Sequence, residues 1–157
     1  MAMSYVSSVL GKDETVYYEA EVSLLPFLPK LIIGGALILM GLVVLIASIA
    51  VGGMRIFDIA LILIGILVFV PPFIAKKTTE LVITNRRIIA KFGLIKRHTI
   101  EINLSKIESI RVSQGVLGRM LNYGDLEIVG TGGTREPIPK ISHPLMFRRK
   151  FDEILNS

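Results

Sequence analysis

The sequence has 157 residues, of which 52% are hydrophobic and 20% charged, and its formal net charge is +5. That length fits one ordinary domain, or a smaller domain with a membrane segment, and excludes a multi-module enzyme. A mean hydropathy of +0.63 excludes disorder as a description of the whole chain. The absence of cysteine removes disulfides, thiolate metal sites, cysteine nucleophiles and lipid-modified cysteines. Charge is unevenly spread: residues 1–30 are net acidic, residues 31–75 hold only Arg55 and Asp58, and from Lys76 onward 15 Lys/Arg face 8 Asp/Glu.

In the N-terminal segment, residues 1–30, Val16, Tyr18, Ala20 and Val22 alternate with Thr15, Tyr17, Glu19 and Glu21. This period of two reads as a half-buried strand over residues 15–23. Two roles are open for it: a strand that joins a later β domain, or a free juxtamembrane linker.

Residues 31–51 then run without a charge, and a helix of that length, at about 1.5 Å per residue, matches the thickness of a bilayer core. Gly52, Gly53, Met54 and Arg55 follow, and residues 56–75 are again apolar apart from Asp58. A connection this short makes the two segments antiparallel neighbours, so residues 31–75 read as a transmembrane hairpin. Ser48 and Ala50 satisfy a small-x-small cleavage pattern. A long acidic stretch before the apolar run, and a second span directly after it, argue against a cleaved signal peptide. Lys30, Lys76, Lys77, Arg86 and Arg87 flank the outer ends of the hairpin and Arg55 alone lies in its loop, which places both termini in the cytoplasm, at the inner membrane. Pro71 and Pro72 predict a kink or a break. Asp58, the only acid in either span, is a candidate proton or ion ligand. It is equally placed to cap its own helix and pair with Arg55, and the sequence favours that structural role. Gly34, Gly35, Gly41, Ser48 and Gly65 supply small residues for close helix approach.

Beyond Ala75 the periodicity changes to short strands separated by turn residues. Strands are predicted near 81–84, 88–92, 99–103, 106–113, 125–128 and Ile138, with Asn85-Arg86 as a two-residue hairpin turn. Pro137 and Pro139 confine the final strand to an edge or closing position. The stretch from Gln114 to Gly124 is too short for a long helix and is read as a single turn. A helix over about 143–156 ends the chain, with Ser142 or His143 at its N-cap, Pro144 in its first turn, and Phe147, Phe151, Ile154 and Leu155 along one stripe. Residues 76–157 therefore read as a small antiparallel β barrel or sandwich capped by a C-terminal helix.

Residues 78–130 resemble the bacterial pleckstrin-homology-like domain. The resemblance rests on Thr84-Asn85-Arg86-Arg87-Ile88, on Gly93-Leu94, on Leu104-Ser105-Lys106-Ile107 followed by Ile110, and on Gln114-Gly115-Val116-Leu117-Gly118-Arg119 leading to Tyr123-Gly124. With the terminal helix it covers about half the chain. It implies a seven-strand fold closed by a C-terminal helix, presented on a membrane hairpin. It implies no shared catalytic residues, and the fold alone does not license phosphoinositide binding.

Chemistry-bearing motifs are sparse. Gly130-Thr131-Gly132-Gly133 lacks a following lysine, which makes it a turn rather than a phosphate loop. His98 and His143 stand without ligand spacing, and no nucleophile elbow occurs. Neither a catalytic residue, a metal site nor a cofactor is expected. Lys76, Lys77, Lys96, Arg97, Arg148 and Arg149 are the candidate contacts for anionic lipid headgroups, and equally serve to fix topology and solvate the domain. Few aromatic residues are placed for base stacking, so nucleic acid is not an expected partner. The leading expectation is a non-enzymatic membrane protein whose cytoplasmic domain contacts a protein partner, its own copies or anionic lipid. The alternatives are an accessory subunit of a transport or efflux assembly and, last, a membrane-embedded hydrolase.

Overall fold

The computed structural model describes residues 5–52, 56–93 and 97–156, and divides into two compact units: residues 27–74, and a discontinuous unit built from the segments before and after them.

In the first unit, helices α2 (Leu28–Val51) and α3 (Ile56–Phe69) lie side by side, and α4 (Pro71–Thr78) continues from α3. Their contact depends on missing side chains. A Cβ on Gly41 would stand 2.6 Å from Ile62 Cγ1, and one on Gly65 would stand 2.9 Å from the Ile38 backbone nitrogen. Backbones this close need glycine at the seam. The expected break at the prolines is local. α3 ends at Phe69, Pro71 and Pro72 donate no backbone hydrogen bond, yet the Val70 N–H still reaches Ile66 O at 2.9 Å. Both helices outrun the apolar stretches, starting at Leu28 with Pro29 in the first turn and running through Lys76 and Lys77. Gly52 closes α2 in the left-handed conformation at φ 76°.

The second unit opens with a four-residue helix, α1 (Val6–Val9), that the sequence pattern does not announce. Strands β1 (Val16–Ala20), β2 (Glu80–Thr84), β3 (Arg87–Phe92) and β4 (His98–Asn103) form one antiparallel sheet in that order. Strands β5 (Ile107–Ser113), β6 (Tyr123–Gly130) and β7 (Arg135–Ser142) form another. Helix α5 (Val116–Met120) sits between β5 and β6, and α6 (Pro144–Leu155) ends the chain. The barrel alternative is corrected here: the described residues make two sheets with no closed barrel. One segment is shared between the sheets. β1 pairs with β2, Ala20 opposite Leu81, and two residues further the same chain meets β7: Val22 bridges Ile141 and the Ser23 N–H donates to Lys140 O at 2.7 Å.

Burial explains these choices. β2 is buried along its whole length, on both faces, although its sequence reads as one-sided. Its second face is covered by the N-terminal segment, where Val6 packs on Val82 and Ile89 with Tyr5, Val9, Leu10 and Val16 around them. α6 inserts Phe147 and Phe151, both essentially inaccessible, and Tyr18 meets Phe147 edge-on at 6.1 Å. Burial also pushes the Tyr18 phenol above its usual pKa. At the start of α6, His143 takes the left-handed conformation (φ 50°) and provides no side-chain cap, so neither residue expected at the N-cap acts through its side chain.

Candidate interaction surface

The strongest polar construction in the domain ties its N-terminus down. The Glu14 carboxylate is nearly inaccessible. It accepts from Arg87 Nη2 at 2.7 Å, Arg87 Nε at 2.9 Å, Thr84 Oγ1 at 2.8 Å and the Gly11 N–H at 3.1 Å. Arg87 also donates to Val9 O at 2.9 Å and to Glu101 at 2.7 Å. The Arg87 guanidinium, aided by the Gly11 N–H and the Thr84 hydroxyl, outweighs burial and holds the Glu14 carboxyl at a pKa of about 2. A second buried carboxylate, Glu80, accepts from Lys91 and from the Val6 N–H, both at 3.1 Å. Asn85 in the β2–β3 turn accepts from the Thr15 N–H and donates to Asp13 O. These bonds are structural. They fasten residues 5–15 over the outer face of the first sheet, and their partners are too far apart in sequence for spacing to reveal them.

The described sequence-predicted headgroup residues lie on α4, before β4 and on α6. Lys76 is exposed and pairs with Glu21 at 3.1 Å, and Lys77 is exposed in the last turn of α4. Arg97 is exposed just before the edge strand β4, and Lys96 lies outside the described residues. Arg148 and Arg149 are exposed on α6, Arg148 within 4.0 Å of Asp152. Arg149 lines a shallow cleft of 240 Å³ with Gln114, Asn122, His143, Pro144, Leu145 and Met146.

That cleft borders the feature the sequence reading reduced to a turn. Helix α5 holds Val116, Leu117 and Met120 in the open, 78%, 64% and 75% exposed. Its position is rigidly set. Gln114 Nε2 donates to Gly118 O at 3.2 Å and to Tyr123 O at 2.9 Å, and a Cβ on Gly118 would stand 2.6 Å from Tyr123 O. The signal was present as Val116-Leu117 and Met120-Leu121 flanking an arginine, with no strand or core stripe to absorb them.

Among the described residues, no group of three His, Asp or Glu side chains is placed to hold a metal ion. Asp58 is buried in the first turn of α3, and its Oδ2 has no hydrogen-bond partner among the described residues. Its expected partner, Arg55, lies outside them.

A two-sheet antiparallel domain closed by a C-terminal helix has the architecture of a pleckstrin-homology-like domain. The chain belongs to the bacterial PH domain family, whose model matches residues 23–157. That match is longer than the sequence resemblance and takes in both apolar helices. No curated protein and no solved structure matches the chain.

Proposed function

We propose that the chain is a non-enzymatic membrane protein in which α2 and α3–α4 cross the bilayer as a hairpin and hold the PH-like domain, with both chain ends, at the cytoplasmic face of the inner membrane. There the domain acts as a contact module for anionic lipid or a protein partner.

The exposed apolar surface of the helices carries this reading. Both are long and apolar enough to cross a membrane, and only 11% and 17% of their apolar windows are buried. Among the described residues, twenty large apolar side chains between Leu28 and Phe73 are exposed. At about 1.5 kcal/mol for each, leaving them in water forgoes roughly 30 kcal/mol, more than the roughly 5–15 kcal/mol by which a domain is stable. A soluble core helix would be covered; these are not.

Reporter fusions after residue 156 and within residues 52–55 test the arrangement. A reporter active only in the cytoplasm should work at the C-terminus and fail in the loop, because Lys30, Lys76 and Lys77 outweigh the lone Arg55. A translocated C-terminus overturns it.

A further inference from the structure

Helix α5 presents an apolar tip that the domain makes no use of. Val116, Leu117, Met120 and Leu121 are exposed together, and Leu145 and Met146 are exposed across the adjoining cleft. The tip is built rather than frayed, since Gln114 and the Gly118–Tyr123 approach hold it in place. Its charge is one-sided. Residues 114–122 and 143–151 contain Arg119, Arg148, Arg149 and Lys150 and no acid. Lys150 and Arg148 are engaged by Glu153 and Asp152. Arg119 and Arg149 have no ion pair among the described residues and stand exposed beside the apolar side chains.

We propose that this tip is a bilayer-contact surface: Val116, Leu117, Met120 and Leu121 enter the headgroup–acyl boundary while Arg119 and Arg149 bind anionic lipid phosphates. The proposal deepens the reading above and rests on it, because a domain tethered by a membrane hairpin meets lipid at high effective concentration. Apolar side chains backed by arginine suit an interface whose outer layer is anionic and whose inner layer is hydrocarbon. A symmetric contact between two copies would set Arg119 and Arg149 against their counterparts while the adjacent acids, Asp152 and Glu153, are already engaged by Arg148 and Lys150. Within the domain, the tip is linked to the segments that flank the apolar helices in sequence. Lys76 pairs with Glu21, the Ser142 N–H donates to Glu21 O at 2.8 Å, and the His143 N–H donates to Asn122 O at 2.8 Å, directly after α5.

The chain has no tryptophan, so a single introduced indole reports its own site. Full-length Leu117→Trp and, separately, Met120→Trp proteins are reconstituted in phosphatidylglycerol-rich bilayers containing lipids brominated near the headgroup end of the acyl chain. The expected result is blue-shifted emission that the bromines quench. Adding Arg119→Glu and Arg149→Glu, or exchanging phosphatidylglycerol for phosphatidylcholine, should relieve the quenching. Water-like, unquenched emission overturns the proposal. So does a blue shift without quenching that grows with protein concentration, which assigns the tip to a second copy, or one that appears only when another protein is added. A parallel Leu67→Trp variant, with bromines deep in the acyl chain, separates the two readings. If it is quenched while the tip is not, only the tip proposal fails; if it too is unquenched, the hairpin reading fails first.

Discussion

Replacing Glu14 with Gln keeps the shape of the side chain and removes the charge that fixes the N-terminal segment. With its folded pKa near 2 against an ordinary 4.5, Glu14 contributes stability that is fully present above pH 4.5 and is lost as pH falls through about 2. The difference amounts to about 3 kcal/mol at neutral pH. Arg87 is a quarter exposed, so solvent screening brings the expected loss to roughly 2–3 kcal/mol. All four tyrosines lie outside residues 27–74. Circular dichroism of the full chain in detergent at the tyrosine band, beyond phenylalanine absorption, therefore follows the β domain. Denaturant unfolding at pH 7 should show Glu14→Gln destabilised by that amount, with the gap to the parent protein closing below pH 4.5 and gone near pH 2. Glu108→Gln, at an exposed position, should change stability by less than about 0.5 kcal/mol at any pH. A Glu14→Gln protein as stable as the parent at pH 7, or a gap that does not vary with pH, would refute the assignment of Glu14 as a charged clamp.

Three further substitutions probe packing. Gly65→Ala should loosen the helical pair, because its new Cβ meets the Ile38 backbone at 2.9 Å, at a cost of about 1–3 kcal/mol; Gly35→Ala, with only Phe69 Cε2 at 4.0 Å, should be tolerated. Detergent-resistant size-exclusion profiles after heating should rank the two accordingly. Phe147→Ala empties the centre of the α6 contact and should destabilise the β domain by about 3–5 kcal/mol, read by the same tyrosine signal. Gly118→Ala should displace α5 while leaving the sheets intact, seen as faster amide exchange confined to residues near 114–123.

The strand pattern was largely legible because one-face burial enforces a period of two. The β2–β3 hairpin has the two-residue connection that Asn85-Arg86 suggested, and α6 buries Phe147 and Phe151 as their spacing required. The double-sided burial of β2 did not show, for a physical reason. Val82, Glu80 and Thr84 are buried by a segment more than sixty residues earlier, and a local pattern carries no record of what later covers its outer face. For the headgroup residues the sequence is silent on surroundings. Charge counts located the basic half of the chain, but not that Lys76 is engaged by Glu21 or that Arg149 sits at a cleft beside α5.

The insertion of the apolar helices between β1 and β2 constrains both topology and folding. Val16–Ala20 precedes the hairpin, Glu80–Thr84 follows it, and the two pair in one sheet. Whatever crosses a membrane between them must cross an even number of times, an argument independent of the lysines. The pairing also closes a loop of about 60 residues, which in a flexible chain costs about 3–4 kcal/mol beyond a constant. A preformed helical hairpin with Glu21 and Lys76 joined at its base meets much of that cost before the strands pair. If so, residues 27–74 act on the domain only as a closure. Replacing them with a flexible linker of about ten residues should then yield a water-soluble protein with the same β spectrum, since the closure cost drops by about 1.6 kcal/mol relative to an unstructured 60-residue loop. Backbone resonance assignments should retain the Ala20–Leu81 and Val22–Ile141 pairings. Loss of the β1–β2 pairing in a protein whose second sheet still forms would show that the helices hold β1 in place, and not merely its ends.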